Sequence, residues 1–284
     1  MSEANRFSSS EANRFSSSEA NSFSPITDFA GCRILLSNDD GVYARGLGVL
    51  ERIARTLTDD VWIVAPAFER SGAGHSLTIH DPLRPVQLAE KRYSVSGTPT
   101  DCVMVAVNHI LKDHKPDLIL SGINVGGNLG EDVHYSGTVA AAMEGVLLGI
   151  RSIALSQEWE DIERIQWPTA EQFAPKIIRD LCSASWNKNV LVNVNFPDRT
   201  ADDVSGVAVT YQGKHKLGDD LVLRQDPRGR PYLWIGAKRS GDRTAVGTDL
   251  KAVDDGYISI TPLNVDLTDL PTMKTLSQVF PGPT

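Results

Sequence analysis

The chain has 284 residues, of which 41% are hydrophobic and 23% charged, and its formal net charge is −8. This composition is typical of one or two globular domains, and no apolar run approaches the roughly 20 residues that span a bilayer. Because the acidic charge opposes long-range attraction to nucleic acid, we expect neither a nucleic-acid nor a membrane partner. Three widely spaced cysteines, Cys32, Cys102 and Cys182, predict buried free thiols and a cytoplasmic location.

Residues 1–24 contain an eight-residue repeat, SEANRFSS, followed by SEANSFSP. Serine, asparagine and glutamate dominate it, and one phenylalanine per repeat buries too little surface to offset the entropy of ordering the chain. We therefore predict disorder up to about Pro25 and assign residues 1–30 to a low-complexity tail. A role of this tail in localisation or partner binding stays open.

From Arg33 the chain alternates between short apolar runs and helical stretches. The predicted strands are 33–37, 61–65, 117–121, 152–156 and 190–196, and the predicted helices are 46–58, 101–111, 138–148 and 173–185. Near-continuous apolar strands joined by helices are typical of a parallel sheet with helices on both faces. The sequence thus predicts a Rossmann-like α/β catalytic core at residues 31–200.

Residues 201–284 have a different pattern of predicted secondary structure. Strands are predicted at 204–211, 220–224, 232–237 and 257–261, with little helix between them. We interpret this part as a β-rich extension that completes the same domain and projects hairpins for oligomer contacts.

The most informative polar segment is SNDDG at residues 37–41, directly after the first strand. In open parallel sheets, ligands bind beyond the carboxyl ends of the strands. Asp39 and Asp40 would repel each other there, and a divalent cation would relieve the repulsion while using both as oxygen ligands. An Asx turn that caps the next helix is the alternative at this point.

Glycine-rich loops follow two other predicted strands, at 66–76 (PAFERSGAGHS) and 122–130 (GINVGGNLG). Two helix starts, YSGT at 135–138 and SGTP at 96–99, provide either caps or phosphate sites. His75 and His134 lie within or beside these loops and are secondary candidates for a proton donor. Polar loops at several strand ends together indicate the rim of one site.

Several familiar motifs of covalent nucleophiles, triphosphate-binding loops and zinc sites are missing from the sequence. It contains no CxxxxxR, GxxxxGK[ST], HExxH or DxD motif. The remaining candidates are oxygen ligands, which suit Mg²⁺ or Mn²⁺ and metal-assisted attack of water.

Four segments together resemble the SurE family of survival proteins: ILLSNDDG, VAPAFERSGAGHS, SGTPTDCV and SGINVGGNLGEDVHYSGTVAAAMEG. VNVNFP at 192–197 and TDLKAVDDGYISITPLNVDLT at 248–268 are also similar to the family. The resemblance runs from about Cys32 to Thr268 and excludes the repeats. It implies a divalent-metal nucleotidase acting on nucleoside 5'- and 3'-monophosphates and, in some members, on short polyphosphate.

The resemblance also implies the roles of individual residues. The metal ligands would be Asp39, Asp40, Ser71 and Asn124, holding one Mg²⁺ or Mn²⁺ per subunit. The phosphate pocket would be lined by Asn38, Ser96, Gly97, Ser136 and Thr138. Asp39 and Asp40 would be catalytic, orienting the attacking water, and an aspartate nucleophile is the alternative.

The family further implies homodimers or homotetramers that exchange C-terminal hairpins, a role that Gly213–Ala237 fits. A non-catalytic nucleotide-binding regulatory protein stays open as the alternative function. The motifs do not fix which base or ribose position is preferred, because pocket shape decides it.

Overall fold

The computed structural model describes residues 21–217, 221–236, 239–241 and 243–280. Nine strands form its central sheet: β1 (Ile34–Ser37), β2 (Val61–Pro66), β3 (Pro85–Ala89), β4 (Arg92–Val95), β5 (Leu118–Val125), β6 (Arg151–Gln157), β7 (Val190–Phe196), β8 (Gly206–Val209) and β13 (Tyr257–Asn264). Their order is β3-β4-β2-β1-β5-β6-β7-β13-β8. The α/β class predicted from the sequence is therefore confirmed.

Helices cover both faces of this sheet. They are α1 (Arg45–Arg55), α2 (Pro99–Val105), α3 (Gly137–Leu147), α4 (Trp167–Ser183) and α5 (Asp249–Asp254), and a π-helical turn (Ala106–Ile110) extends α2. The last helix, α6 (Leu270–Val279), has no buried residue. Ile34 and Leu36 of β1 pack with α1 and α4, whereas Leu35 packs with α2 and α3 on the opposite face. Because alternate side chains point to opposite faces, a strand covered on both sides is apolar throughout.

The strand order reverses between β1 and β5. The chain runs from β1 to β2 on one side, whereas β5, β6 and β7 follow one another on the other side, and the pairs between these strands are parallel. Such a reversal opens a crevice at the carboxyl ends of the two central strands. The loops after β1 and β5 therefore meet at the place where this fold binds ligands.

The sheet is mixed rather than wholly parallel. Strand β3 pairs antiparallel with β4, and β13 pairs antiparallel with β7. The hairpin of β3 and β4 and the helices α5 and α6 were not predicted from the sequence. The hairpin strands are short and α5 has six residues, so their local patterns were weak.

The amino-terminal segment 21–30 is ordered, so its assignment to the disordered tail was wrong. Phe23 and Phe29 are buried, and Arg151, only 2% exposed, donates a hydrogen bond to the Ser24 carbonyl (2.8 Å). The Arg151 guanidinium also lies 4.2 Å from the ring centroid of Trp186. These distant partners, invisible in the local sequence, order the segment; the repeats at residues 1–20 lie outside the described residues.

Beyond β8 the chain forms two further strand pairs. Strands β10 (Leu221–Gln225) and β11 (Pro231–Ile235) form an antiparallel hairpin, and β9 (His215–Leu217) pairs with β12 (Arg239–Gly241). The antiparallel strands predicted for this part are thus present, although positions 220 and 237 of the predicted strands lie outside the described residues. Within the described ranges, no helix is long and apolar enough to cross a membrane.

Candidate functional site

A cleft opens at the carboxyl ends of β1, β2 and β5, where the strand order reverses. Four of the predicted site residues line it: Asp39, Ser71, Asn124 and Ser136. The remaining lining is provided by Gly72, Val125, Gly126, Gly127, Asn128, Asp132 and Tyr135. The structure therefore brings together residues up to 97 positions apart, from Asp39 to Ser136.

Asp39 is the most enclosed acid of the cleft, with 4% of its surface exposed. Burial raises the pKa of the Asp39 carboxyl above its ordinary value, although hydrogen bonds from the Thr138 side chain and the Gly137 backbone oppose the shift. Thr138 Oγ1 donates to Asp39 Oδ1 at 2.5 Å. The start of α3 thus holds the Asp39 carboxylate, which follows β1.

Asp40 is half-buried beside Asp39. Burial, followed by the neighbouring Asp39 charge, raises the pKa of Asp40 to about 7. Among the described residues, Asp40 Oδ2 and Asn38 Oδ1 are buried oxygens without a hydrogen-bond partner. Buried oxygens without partners cost free energy, and a divalent cation beside them would remove this cost. The carboxylate pair therefore fits a bound Mg²⁺ or Mn²⁺.

The donor set is unlike a zinc or multi-carboxylate site. No group of three His, Cys, Asp or Glu side chains suited to a metal occurs in the part of the chain that the structure describes. Two carboxylates would need neutral oxygens to complete the coordination, and Ser71 and Asn124 line the cleft together with Asp39, whereas Asp40 lies beside Asp39 outside the lining. This mixture of oxygen donors suits hard divalent cations.

The loop that carries Ser71 is tied to the cleft by several contacts. Ser71 Oγ donates to Glu69 Oε1 (3.0 Å), and the Gly74 N–H donates to the Tyr135 carbonyl (3.1 Å). His75 Nε2 lies 2.9 Å from Glu144 Oε2 of α3. His75 thus links the loop to α3 and does not line the cleft. Glu69, which accepts the hydrogen bond from Ser71, was not predicted from the sequence as a site residue.

The glycine-rich loop after β5 is held by a buried amide network. The Asn128 N–H donates to Asn195 Oδ1, and its side-chain Nδ2 donates to Ser156 Oγ, both at 2.8 Å. The Asn128 carbonyl accepts from Asn193 Nδ2 at 2.8 Å. Asn193 and Asn195 of β7 were not selected from the sequence, although two amides inside an apolar strand were a usable signal.

The remaining predicted phosphate residues have other contacts. Ser136 Oγ caps α3 by accepting from the Val139 N–H (3.0 Å), at the edge of the cleft. Thr138 uses its hydroxyl on Asp39, and Ser96 Oγ accepts from the Arg84 N–H (3.0 Å). Neither Ser96 nor Gly97 lines the cleft, so their phosphate roles stay predictions.

Comparison with known proteins gives consistent matches. The family model for survival protein SurE matches residues 34–219. The 5'-nucleotidase SurE of Rhodospirillum rubrum is 62% identical over 260 residues, covering 90% of this chain and 99% of that protein. The 5'-nucleotidase SurE of Paramagnetospirillum magneticum is 58% identical over 256 residues, covering 90% and 98%.

A solved structure is also similar. The crystal structure of the SurE protein from Aquifex aeolicus aligns with a TM-score of 0.77 and 40% sequence identity, covering 87% of this chain and 99% of that one. Every site residue selected from the sequence falls within the range that the family model matches.

Proposed function

The chain belongs to the SurE family and is a 5'-nucleotidase, and we propose that it hydrolyses nucleoside monophosphates with a divalent metal ion held where β1, β2 and β5 end. The observation that carries the proposal is the pair of adjacent acids, Asp39 and Asp40, enclosed at the reversal of the strand order. Acids in such a place are stabilised by a cation and are available for phosphoryl chemistry.

We assign one Mg²⁺ or Mn²⁺ per subunit to Asp39, Asp40, Ser71 and Asn124. Two carboxylates with two neutral oxygens balance the charge of a divalent ion, so an anionic phosphate can approach without the repulsion of two unneutralised carboxylates. When bound, the ion would polarise the phosphate and make water a stronger nucleophile. The choice between the two metals depends on their availability, because both accept such oxygen ligands.

The protein's own groups position the phosphate and the attacking water. Ser136 caps the start of α3 at the edge of the cleft, and the positive end of this helix favours an anionic group. Thr138 holds the Asp39 carboxylate in place. Asp39 or Asp40 is then available to orient water towards phosphorus, opposite the leaving ribose oxygen.

The substrates proposed beyond 5'-nucleotides are nucleoside 3'-monophosphates and short polyphosphate. Ser71 and Gly72 at the rim of the cleft are exposed, so the cleft is open to solvent on this side. Release of inorganic phosphate should be measured from 5'-AMP, 5'-GMP, 5'-CMP, 5'-UMP, 3'-AMP and tripolyphosphate. Each assay is run after chelation and then with Mg²⁺ or Mn²⁺ restored.

We expect phosphate release to stop on chelation and to return with the metal. Nucleotide binding that is unchanged by chelation, with no release under any condition, would instead identify a regulatory binding protein. Release that persists after complete chelation would contradict the assigned metal site.

We also propose a homodimer or homotetramer joined through the hairpin of β10 and β11. Leu221 lies opposite Ile235, and Leu223 lies opposite Leu233, so these four side chains share one face of the ribbon. Each is between 59% and 72% exposed. An isolated two-stranded ribbon is marginally stable, and a second copy of the chain would cover this apolar face.

The double variant Leu223→Asp with Leu233→Asp is expected to lower the molar mass measured by light scattering to that of a smaller oligomer. Two like charges would face each other across the ribbon and would have to be buried in the contact between subunits. Arg224→Gln, on the opposite face, is the matched control and should leave the mass unchanged. An unchanged mass in the double variant would refute the hairpin contact.

A further inference from the structure

A second cavity lies beside the cleft, at the carboxyl ends of β6 and β7. Its volume is about 400 Å³, a size within the range of small-molecule sites. Its lining includes Glu158, Trp159, Asp198, Arg199, Arg243 and Asp254. None of these residues has a role in the metal site.

Two residues that line the cavity, Glu158 and Trp159, lie close to the glycine loop after β5. A Cβ on Gly126 would lie 3.5 Å from the Trp159 Nε1 atom, and a Cβ on Gly127 would lie 2.6 Å from Glu158 Oε2. Both glycines also line the cleft. The indole and the carboxylate therefore lie next to the loop that lines the cleft.

Strand register places Trp159 within a nucleotide's reach of the metal site. Asn124 pairs with Ser156 across β5 and β6, so these two residues are neighbours at about 5 Å. Trp159 follows Ser156 by three residues, which span at most about 11 Å of extended chain. The nucleoside of a phosphate bound beside Asn124 is therefore able to reach the indole.

The backbone that carries Trp159 is fixed to β7. The Glu158 N–H donates to the Phe196 carbonyl, and the Glu160 N–H donates to Asp198 Oδ2, both at 2.9 Å. The buried Gln157 Nε2 donates to the Pro197 carbonyl at 2.9 Å. Trp159 itself remains partly exposed, so its ring is a rigidly mounted surface with access to a ligand.

The charge of the cavity decides what it can hold. Its four carboxylates outnumber its two guanidinium groups, since Glu160 also lines the cavity. Arg243 is paired with Asp254 by a 2.5 Å ion pair. A second phosphate would be repelled, whereas an uncharged aromatic ring would not. Every base offers a π face for stacking, and an ionised carboxylate such as Glu158 accepts hydrogen bonds from amino or hydroxyl groups.

We propose that this cavity binds the nucleoside part of the substrate, with the base stacked on Trp159 and a base amino group or ribose hydroxyl donating to Glu158. The inference rests on the proposed function and names the subsite that separates nucleotides from other phosphomonoesters.

Trp159→Ala is expected to raise the KM for 5'-AMP about 10-fold, in the range of one lost base–aromatic contact. Ribose 5-phosphate carries the same ester without a base, and its KM should change by less than about 2-fold. Trp159→Phe keeps an aromatic ring and should recover most of the affinity for 5'-AMP. Equal changes for both substrates, or no change for either, would overturn the inference.

Calorimetric binding of adenosine to the full chain separates this inference from the proposed function. If the native chain releases no phosphate, the proposed function fails, whereas adenosine binding still reports on the cavity. Weaker adenosine binding by Trp159→Ala than by the native chain or Trp159→Phe supports the subsite. Equal binding by the three proteins, or no binding by the native chain, overturns it.

Discussion

Asp39→Asn is expected to lower metal-dependent phosphate release from 5'-AMP by at least about 100-fold, the scale on which groups that stabilise charge at a reacting centre act. Asn retains the shape of Asp39 and can still accept the hydrogen bond from Thr138 Oγ1. The substitution removes one of the two carboxylate charges that would bind the cation. A lower rate of phosphate release would therefore reflect the lost charge and not a change in packing. Initial rates across a Mn²⁺ titration would separate weaker metal binding from slower turnover.

The fold of this variant should persist, because Asn removes a charge whose burial is unfavourable. Asp117→Asn is the matched control, since Asp117 is an exposed carboxylate that binds the Arg33 N–H at the opposite edge of the sheet. We expect native thermal unfolding for Asp39→Asn and native activity for Asp117→Asn. A folded Asp39→Asn enzyme with native activity would remove Asp39 from the mechanism.

Gly137→Ala is expected to lower kcat/KM for 5'-AMP by about 100-fold, the cost of misplacing a reacting group by about 1 Å. A Cβ at residue 137 would lie 2.6 Å from Asp39 Cβ, 2.9 Å from Asp39 Oδ2 and 3.0 Å from Pro99 Cγ. Asp39 is enclosed, so its side chain has little room to move away. Steady-state kinetics at saturating Mn²⁺ would measure the effect.

The matched control is Gly48→Ala on α1, where the nearest atom to an added Cβ is Arg52 Nη1 at 3.9 Å. Alanine favours a helix by about 0.5–1 kcal/mol relative to glycine, so Gly48→Ala should keep full activity and unfold at a slightly higher temperature. If Gly137→Ala were also fully active, the close approach of α3 to Asp39 would not position the carboxylate.

The cleft and the cavity are proposed to bind different parts of the substrate. The metal site handles the charged ester that all phosphomonoesters share, whereas the cavity beside Trp159 contacts the part in which they differ. The loop at Gly126 and Gly127 lines the cleft and lies next to Trp159 and Glu158 of the cavity, so we expect the amides of Asn193 and Asn195 that hold this loop to affect both. Substitutions at these amides should therefore affect nucleotide and ribose 5-phosphate turnover together.

Much of the fold and site could be predicted from local sequence. The residues of β1, β2, β5, β6 and β7 are buried on both faces of the sheet. Such strands are apolar along their length and do not alternate between apolar and polar residues, so they could be recognised as short apolar runs. The segment SNDDG follows β1 directly, so strand polarity alone placed Asp39 and Asp40 at the ligand-binding edge. The family motifs then indicated Ser71 and Asn124, which line the same cleft.

Contacts between distant residues were decided only by the tertiary structure. Thr138 is bound to Asp39 across 99 positions, and Arg151 orders the segment at Ser24 across 127 positions. No helical or strand period links such residues, because periodicity reports which face a side chain occupies and not which partner it meets. The strand order and the packing of the helices determine which residues meet. They also bring Trp159 next to the glycine loop.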